Sequence, residues 1–372
     1  MTDPIPNANV TRRRVLASFA GLAAAAPFIQ LGREQRSEIT LRYTSHVPRS
    51  HGLYSLVYLP FAEQVERETN GRIRLVPFTD KILHGALDGF KAANMGITDY
   101  THGYATYQPG CFQLLHGLQL PFLFPGTAVA AMVAEELYPE YFKEEYERMG
   151  IYLAHCDSTS PYNIISRKPI RTLEDLRGVK MRTTGGLTVK IAEQLGAVPI
   201  VMAAAEVYPA FQRGVVDAVS LGTPDIVGYR LHEIGGYFTH VAFNVTLLQY
   251  CLNKKTFDAL PDDLRGQLYR LFRQRSQLAA RNYYGGTEAA ALSEMVASGV
   301  ETIELPEDEK ARWVEAVRPL ATEFVAKNEA LGLPAGRLLR DIEAKASRYS
   351  TWSSDELFEH AANNPIPGII DL

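Results

Sequence analysis

Three cysteines, Cys111, Cys156 and Cys251, are all the thiols in 372 residues, too few and too scattered for a disulfide framework. One pair could form, but the expected state is three buried, small apolar side chains. No CxxC occurs, and the nine histidines supply neither HExxH nor two imidazoles at helical spacing. His46 and His51, five apart across a proline loop, are a weak metal signal. The nucleophile elbow GxSxG is missing, as are the phosphate-cradling GxxxxGK[ST] loop and the dinucleotide GxGxxG turn. Metalloenzymes, hydrolases, nucleotide-triphosphate enzymes and dinucleotide oxidoreductases therefore lose their usual support, and no cofactor or metal is expected. Charge of one sign is scarce too. The formal balance is −4, which gives no electrostatic reason to bind nucleic acid.

Long apolar runs are equally scarce. One stands out, Val15 to Ala26, directly behind Arg12, Arg13 and Arg14, and it is too short for a membrane span of ~20 residues. Consecutive arginines before a run that ends in alanines have the layout of a twin-arginine export signal, so residues 1–26 are expected to be removed within Ala23 to Pro27. Export by that route places the mature protein in the periplasm. The mature chain loses Asp3 with the three arginines, which leaves about −6, and it should be soluble.

A chain of this length is too long for one typical core, and two lobes are the expected solution. Apolar spacing predicts a strand Ile39 to Tyr43, a helix Leu53 to Thr69, a strand Arg72 to Pro77, a helix Ala86 to Met95 and a strand Ile97 to Thr101. A second α/β series runs from Leu173 to Val219. It opens with a short helix, stops at Gly178, and continues as a strand Val179 to Arg182 that ends on Thr183, Thr184, Gly185 and Gly186. A helix Leu187 to Leu195, a strand Val198 to Met202, a helix Glu206 to Arg213 and a strand Val215 to Val219 complete a parallel βαβ lobe. Long helical stretches follow, Asp262 to Ser298 and Pro306 to Leu331, and Thr351 to Leu372 reads as an appended surface tail.

Arg182 sits at the carboxyl end of its strand, the edge at which open α/β sheets present ligands, and glycines just beyond let backbone approach a bound molecule. A guanidinium offers two parallel donors that match a carboxylate. An internal salt bridge is the competing reading of the same residue.

The wording of these segments resembles the solute-binding subunits of tripartite ATP-independent periplasmic (TRAP) transporters, the DctP-like family. Gly178–Val179–Lys180–Met181–Arg182 matches that family's GxKxR strand, and Leu195 to Pro199 and Glu206 to Asp217 match its LGAxP and EVYxAxQxGVVD segments. Asn70–Gly71–Arg72, Gly96 to Asp99, Pro121 to Phe124, Thr239–His240 and Leu260 to Leu264 extend the likeness over residues 38–345 in the family's order. The resemblance implies a two-lobed α/β periplasmic binding protein fold with a ligand cleft between discontinuous lobes. These are 38–159 plus 247–286 and 160–246 plus 287–350, with 351–372 as a C-terminal tail. It also implies capture of an organic acid without turnover and delivery to TRAP membrane subunits. A periplasmic ligand-sensing protein on the same fold stays open as the alternative, with an exported enzyme behind it.

The resemblance gives Arg182 the role of carboxylate partner. Tyr162 stands where many relatives carry a second arginine, Ser220–Leu221 replace a Glu–Asn pair, and Ala204 replaces a bulky phenylalanine. All three departures imply one carboxylate and a larger, less polar body. Tyr104, Tyr107 and Tyr162 would supply aromatic walls with hydroxyls. His46, and less so His51, would reach the solute from the loop after the first strand, while Gly185 would let backbone come close. His240, Glu206 and Asp217 read as structural.

Overall fold

A computed structural model describes residues 39–108 and 110–372. The arginine run and the apolar stretch of residues 1–26 lie outside them. Among the described residues no helix is long and apolar enough to cross a membrane.

Two sheets organise the chain. The first contains β1 (Ile39–Thr44), β2 (Ile73–Phe78), β3 (Tyr100–Gly103), β4 (Ile151–Ser158) and β10 (Leu247–Asn253) in the order β2-β1-β3-β10-β4. β1 is parallel to both β2 and β3, whereas β10 inserts antiparallel between β3 and β4. The second sheet contains β5 (Tyr162–Ser166), β6 (Lys180–Thr183), β7 (Val198–Val201), β8 (Ala218–Gly222), β9 (Tyr237–His240) and β11 (Glu301–Glu304), ordered β11-β9-β5-β8-β6-β7. β6 runs parallel to β7 and β8, and the sheet ends on β7, where Pro199 is tolerated because an edge strand leaves one side unpaired. β4, β5, β8 and β10 are buried along their whole length, as strands covered on both faces are, with a few buried polar residues such as His155, Asp157, Asn163 and Gln249 among the apolar ones.

Over the described residues the chain crosses between the sheets three times. The first two crossings form a hydrogen-bonded ribbon. The Thr159 and Tyr162 amides donate to the Thr246 and Asn244 carbonyls at 3.0 and 2.7 Å, and the Thr246 amide returns to the Thr159 hydroxyl. The third is the helix Asp262–Ala279, which packs on β4 and then widens into a π-helical turn, Ala280–Tyr284. Gly285 and Gly286 end that turn where a Cβ would sit 2.9 and 2.1 Å from the carbonyl oxygens of Ala280 and Arg281. Helix Glu288–Ala297 then packs on the second-lobe helix Thr223–Gly228.

Several expected elements differ. The helix expected over Leu53 to Thr69 begins as a π-helical turn, Tyr54–Tyr58, and becomes α-helical at Leu59–Glu68, where Pro60 has no amide to offer the preceding turn. β3 starts later than Ile97 because the Thr98 hydroxyl and the Asp99 carboxylate are engaged with Thr44 and Arg42, holding that segment as a turn after Gly96 (φ 69°). β8 likewise begins at Ala218, because the Asp217 carboxylate accepts from the Lys180 amide. The stretch Asp262 to Ser298 is broken by the glycine pair, and the stretch after Pro306 by Pro319. Within the stretch 287–350, helix Ala335–Tyr349 packs on the first-lobe helix Thr127–Tyr141. The C-terminal segment is no loose appendage: Ser353 and Glu356 form a capping box on helix Ser354–Asn363, and Leu357, Ile369 and Ile370 are buried. That helix packs on Asp262–Ala279.

Candidate ligand-binding cleft

β6 delivers Arg182 to the junction of the two sheets with its side chain fully buried. Its Nε donates to the Met202 carbonyl at 3.1 Å and one terminal nitrogen to the Ser220 carbonyl at 3.2 Å; the other, Nη2, is buried and has no partner. None of the ion pairs of the described residues uses Arg182. A buried charged donor left unanswered costs more than the ~1–3 kcal/mol of a neutral one. The internal salt bridge that competes with ligand binding is therefore absent among the described residues.

Arg182 lines a small, largely enclosed cavity. Both lobes line it. The first contributes His46, Tyr104 and Tyr107, the second Tyr162, Ala204 and Leu221 around Arg182, and Thr159 and Thr246 come from the crossing ribbon. Tyr107 lies beside Arg182; burial pushes its hydroxyl pKa up and the guanidinium opposes the rise. Burial also moves Tyr162 up to about 12, with Arg182 again opposing. These phenols stay protonated and can donate.

His46 is held away from free rotation. Its Nδ1 lies 2.6 Å from His102 Nε2, and its Nε2 lies 3.4 Å from the Tyr104 hydroxyl. Burial, reinforced by His84, His51 and Lys81, lowers its pKa to about 3, so the imidazole on the cavity wall is neutral. His51 does not reach the wall. It sits behind it, 3.3 Å from the Tyr283 hydroxyl and 3.6 Å from Asp225, neutral with a pKa lowered by burial to about 4.

Gly185 is also off the wall. At φ 109° it passes under the Thr106 carbonyl of the other lobe, and a Cβ there would be 2.9 Å from that oxygen. The close approach is thus between lobes rather than toward a solute. Glu206 is exposed, Asp217 caps the β6 amide, and His240 pairs with Glu304 at 3.0 Å, three peripheral positions. Among the described residues no cluster of His, Cys, Asp and Glu could hold a metal ion. All three cysteines are free thiols; Cys156 and Cys251 are buried, but Cys111 is exposed, because it follows the turn from Gln108 rather than entering the core.

Asp225, Tyr229, Tyr284, Thr159, Thr184 and Thr246 also line the cavity and were not expected there. The two threonines of the ribbon, Thr159 and Thr246, stand at the expected lobe bounds 159/160 and 246/247, where a crossing must face the cleft. Tyr284 is on the wall because the π-helical turn displaces it, an event that only Gly285–Gly286 announce.

Two α/β lobes closed over a buried, unpaired arginine define a periplasmic binding protein, and comparison with known proteins gives its family. The sequence pattern of the bacterial extracellular solute-binding proteins, family 7 (DctP), matches residues 44–328. The chain belongs to that family, whose members are the solute receptors of TRAP transporters and not enzymes. It is 25% identical to the C4-dicarboxylate-binding periplasmic protein DctP of Rhodobacter capsulatus, over 85% of this chain and 95% of that one. Among solved structures, a TRAP solute-binding protein of Bordetella bronchiseptica with bound mandelate superposes with a TM-score of 0.78 at 24% identity, covering 83% of this chain and 99% of the other. One from Rhodoferax ferrireducens with copurified benzoate reaches 0.80 at 20% identity, covering 84% and 98%. At these identities the structural likeness establishes the fold.

Proposed function

We propose that the protein is the periplasmic receptor of a TRAP-type secondary transporter for a monocarboxylate with an apolar or aromatic body, exported by the twin-arginine route. The observation that carries this reading is the orphaned Nη2 of Arg182 on the wall of a cavity that Tyr104, Tyr107, Tyr162 and Leu221 also line. A carboxylate would satisfy that donor and the buried charge together. Among the described residues no second arginine or lysine lines the cavity, so a second carboxylate would lack a counter-charge. Mandelate and benzoate, bound by the two fold relatives, have this one-carboxylate, aromatic form. DctP of Rhodobacter capsulatus, named for C4-dicarboxylates, represents the competing ligand class.

In this reading the ligand-binding residues are Arg182, Tyr162, Tyr104, His46, Leu221 and Ala204, with Gly185 serving lobe contact. The sheets around 38–159 plus 247–286 and 160–246 plus 287–350 open and close about the ribbon and the π-helical turn, and the membrane subunits receive the closed form. A thermal-shift screen of carboxylic acids tests it. Aromatic or branched monocarboxylates should raise Tm more than succinate or malate, since ligand at ~1,000 times Kd adds about 4 kcal/mol. A larger shift with the dicarboxylates would reject the ligand class.

A further inference from the structure

Arg182 is not the only ionisable group in the cavity. Asp225, on helix Thr223–Gly228, lines it as well and is 6% exposed. We propose that Asp225 takes up a proton from solvent as the ligand's carboxylate settles on Arg182, so that the solute is captured together with one proton held in the cavity wall. The inference rests on the reading of Arg182 as the carboxylate seat.

Charge is decisive in so small and buried a cavity. Oδ1 of Asp225 accepts from the Tyr283 hydroxyl at 3.1 Å and has His51 Nε2 at 3.6 Å. Among the described residues no lysine or arginine forms an ion pair with it. The charged and titratable groups around it are His51 from the first lobe, Tyr283 and Tyr284 from the π-helical turn, Glu288 from the following helix, Tyr229 just beyond its own helix, and Tyr162 from β5 and Arg182 from β6 across the cavity. Arg182 is thus the cation that favours the ionised carboxylate, while Glu288 opposes it. A bound carboxylate cancels that cation and brings a second anion into the same enclosure. Two carboxylates sharing one buried site do not both stay ionised at neutral pH. The ligand acid, fixed by the guanidinium, keeps its charge. Asp225 becomes the neutral acid, a new O–H bond formed with a solvent proton, and no bond of the ligand changes.

The titration behaviour of the group agrees. Burial already raises Asp225 to about 7, against the pull of Tyr283 and Arg182, so little further push is needed. His51, neutral with a pKa of about 4, and the tyrosines, all raised, do not titrate between pH 6 and 9. Because the ligand prefers the protonated form, affinity should be level below pH about 7 and weaken above it, by up to about tenfold per unit.

The experiment is calorimetry on the full mature chain with mandelate, benzoate and 3-hydroxyphenylacetate, each in phosphate and in Tris, whose ionisation heats differ. At pH 8 the heats should differ between buffers by more than half a proton taken up per ligand, and Kd should rise severalfold from pH 6.5 to 8.5. Asp225→Asn should bind without buffer dependence and with a level pH profile. Tyr283→Phe, which removes a donor to the ionised form, should move the onset of weakening to higher pH. Equal heats in the two buffers, or uptake that persists in Asp225→Asn, would overturn the proposal. So would tighter binding of an ammonium-bearing carboxylate without uptake, since Asp225 would then be pairing the ligand as an anion. Arg182→Ala run beside these separates the two readings: its loss of binding supports the carboxylate seat even if proton uptake fails. A panel in which no acid binds rejects both.

Discussion

Replacing Arg182 with alanine should abolish high-affinity binding while sparing the fold. This side chain makes two bonds within the protein, to the Met202 and Ser220 carbonyls, and leaves a buried donor unmet. Each charge-assisted bond contributes ~1.5–3 kcal/mol, but burying a guanidinium without a counter-ion costs several kcal/mol, so the two sides nearly offset. Stability should therefore change by less than about 2 kcal/mol. Binding has no such offset. A ligand carboxylate facing the truncated site loses the other half of a buried ion pair, a cost of ~3–5 kcal/mol, which is roughly a 100- to 5,000-fold weaker Kd. Lysine should restore little, because its single ammonium cannot hold Met202, Ser220 and a carboxylate in the planar geometry of the guanidinium. Calorimetry gives Kd, and urea unfolding followed by circular dichroism gives stability. An affinity within a few-fold of wild type in a folded Arg182→Ala protein would refute the reasoning.

Gly185→Ala should weaken binding about tenfold, because the added Cβ meets the Thr106 carbonyl at 2.9 Å only when the lobes are together; Gly178→Ala, at φ 74° with open space around it, should cost stability but leave Kd unchanged. His51, buried and neutral with a pKa lowered to about 4, contributes stability that is complete above its unfolded pKa near 6.5 and is lost as pH falls toward 4. Between pH 6.5 and 5 the loss should be about 2 kcal/mol, and urea unfolding should show it reduced in His51→Asn. Leu357→Ala should destabilise by ~2–5 kcal/mol in the same assay, since the side chain is fully buried; a change below about 0.5 kcal/mol would return residues 351–372 to the status of a surface tail.

Much of this architecture was legible because its signals are local. β6 could be read from Gly178, an alternating strand and a glycine pair, and Arg182 is where that pattern puts it. The aromatic wall was legible in part, since Tyr104 and Tyr162 flank strands whose ends must face the cleft. Asp225 was not: it sits on a six-residue helix behind Gly222, and nothing in Thr–Pro–Asp distinguishes a cavity carboxylate from a helix-start acid. Tyr284 was hidden by the same cause that displaced it, a π-helical turn that apolar spacing reads as continuous helix. For Gly185 the sequence marks a close approach without saying to which backbone, and here it is that of Thr106. The exposure of Cys111 depends on a turn, which composition does not reveal.

The position of β10 has a consequence for how the chain can be made. Residues 247–253 fill the slot between β3 and β4, in the interior of the first sheet, yet they follow the whole of β5 to β9 in sequence. Until they emerge from the ribosome, the first sheet has two bare edges facing each other across a gap, each a row of unpaired amides and carbonyls open to pairing with another chain. The first half of the protein therefore cannot mature ahead of the second, and closing so long a loop around the missing strand makes assembly slow. A nascent chain arrested before Leu247 should be the aggregation-prone species, and a chaperone that holds β3 and β4 apart until β10 arrives is the help this topology calls for.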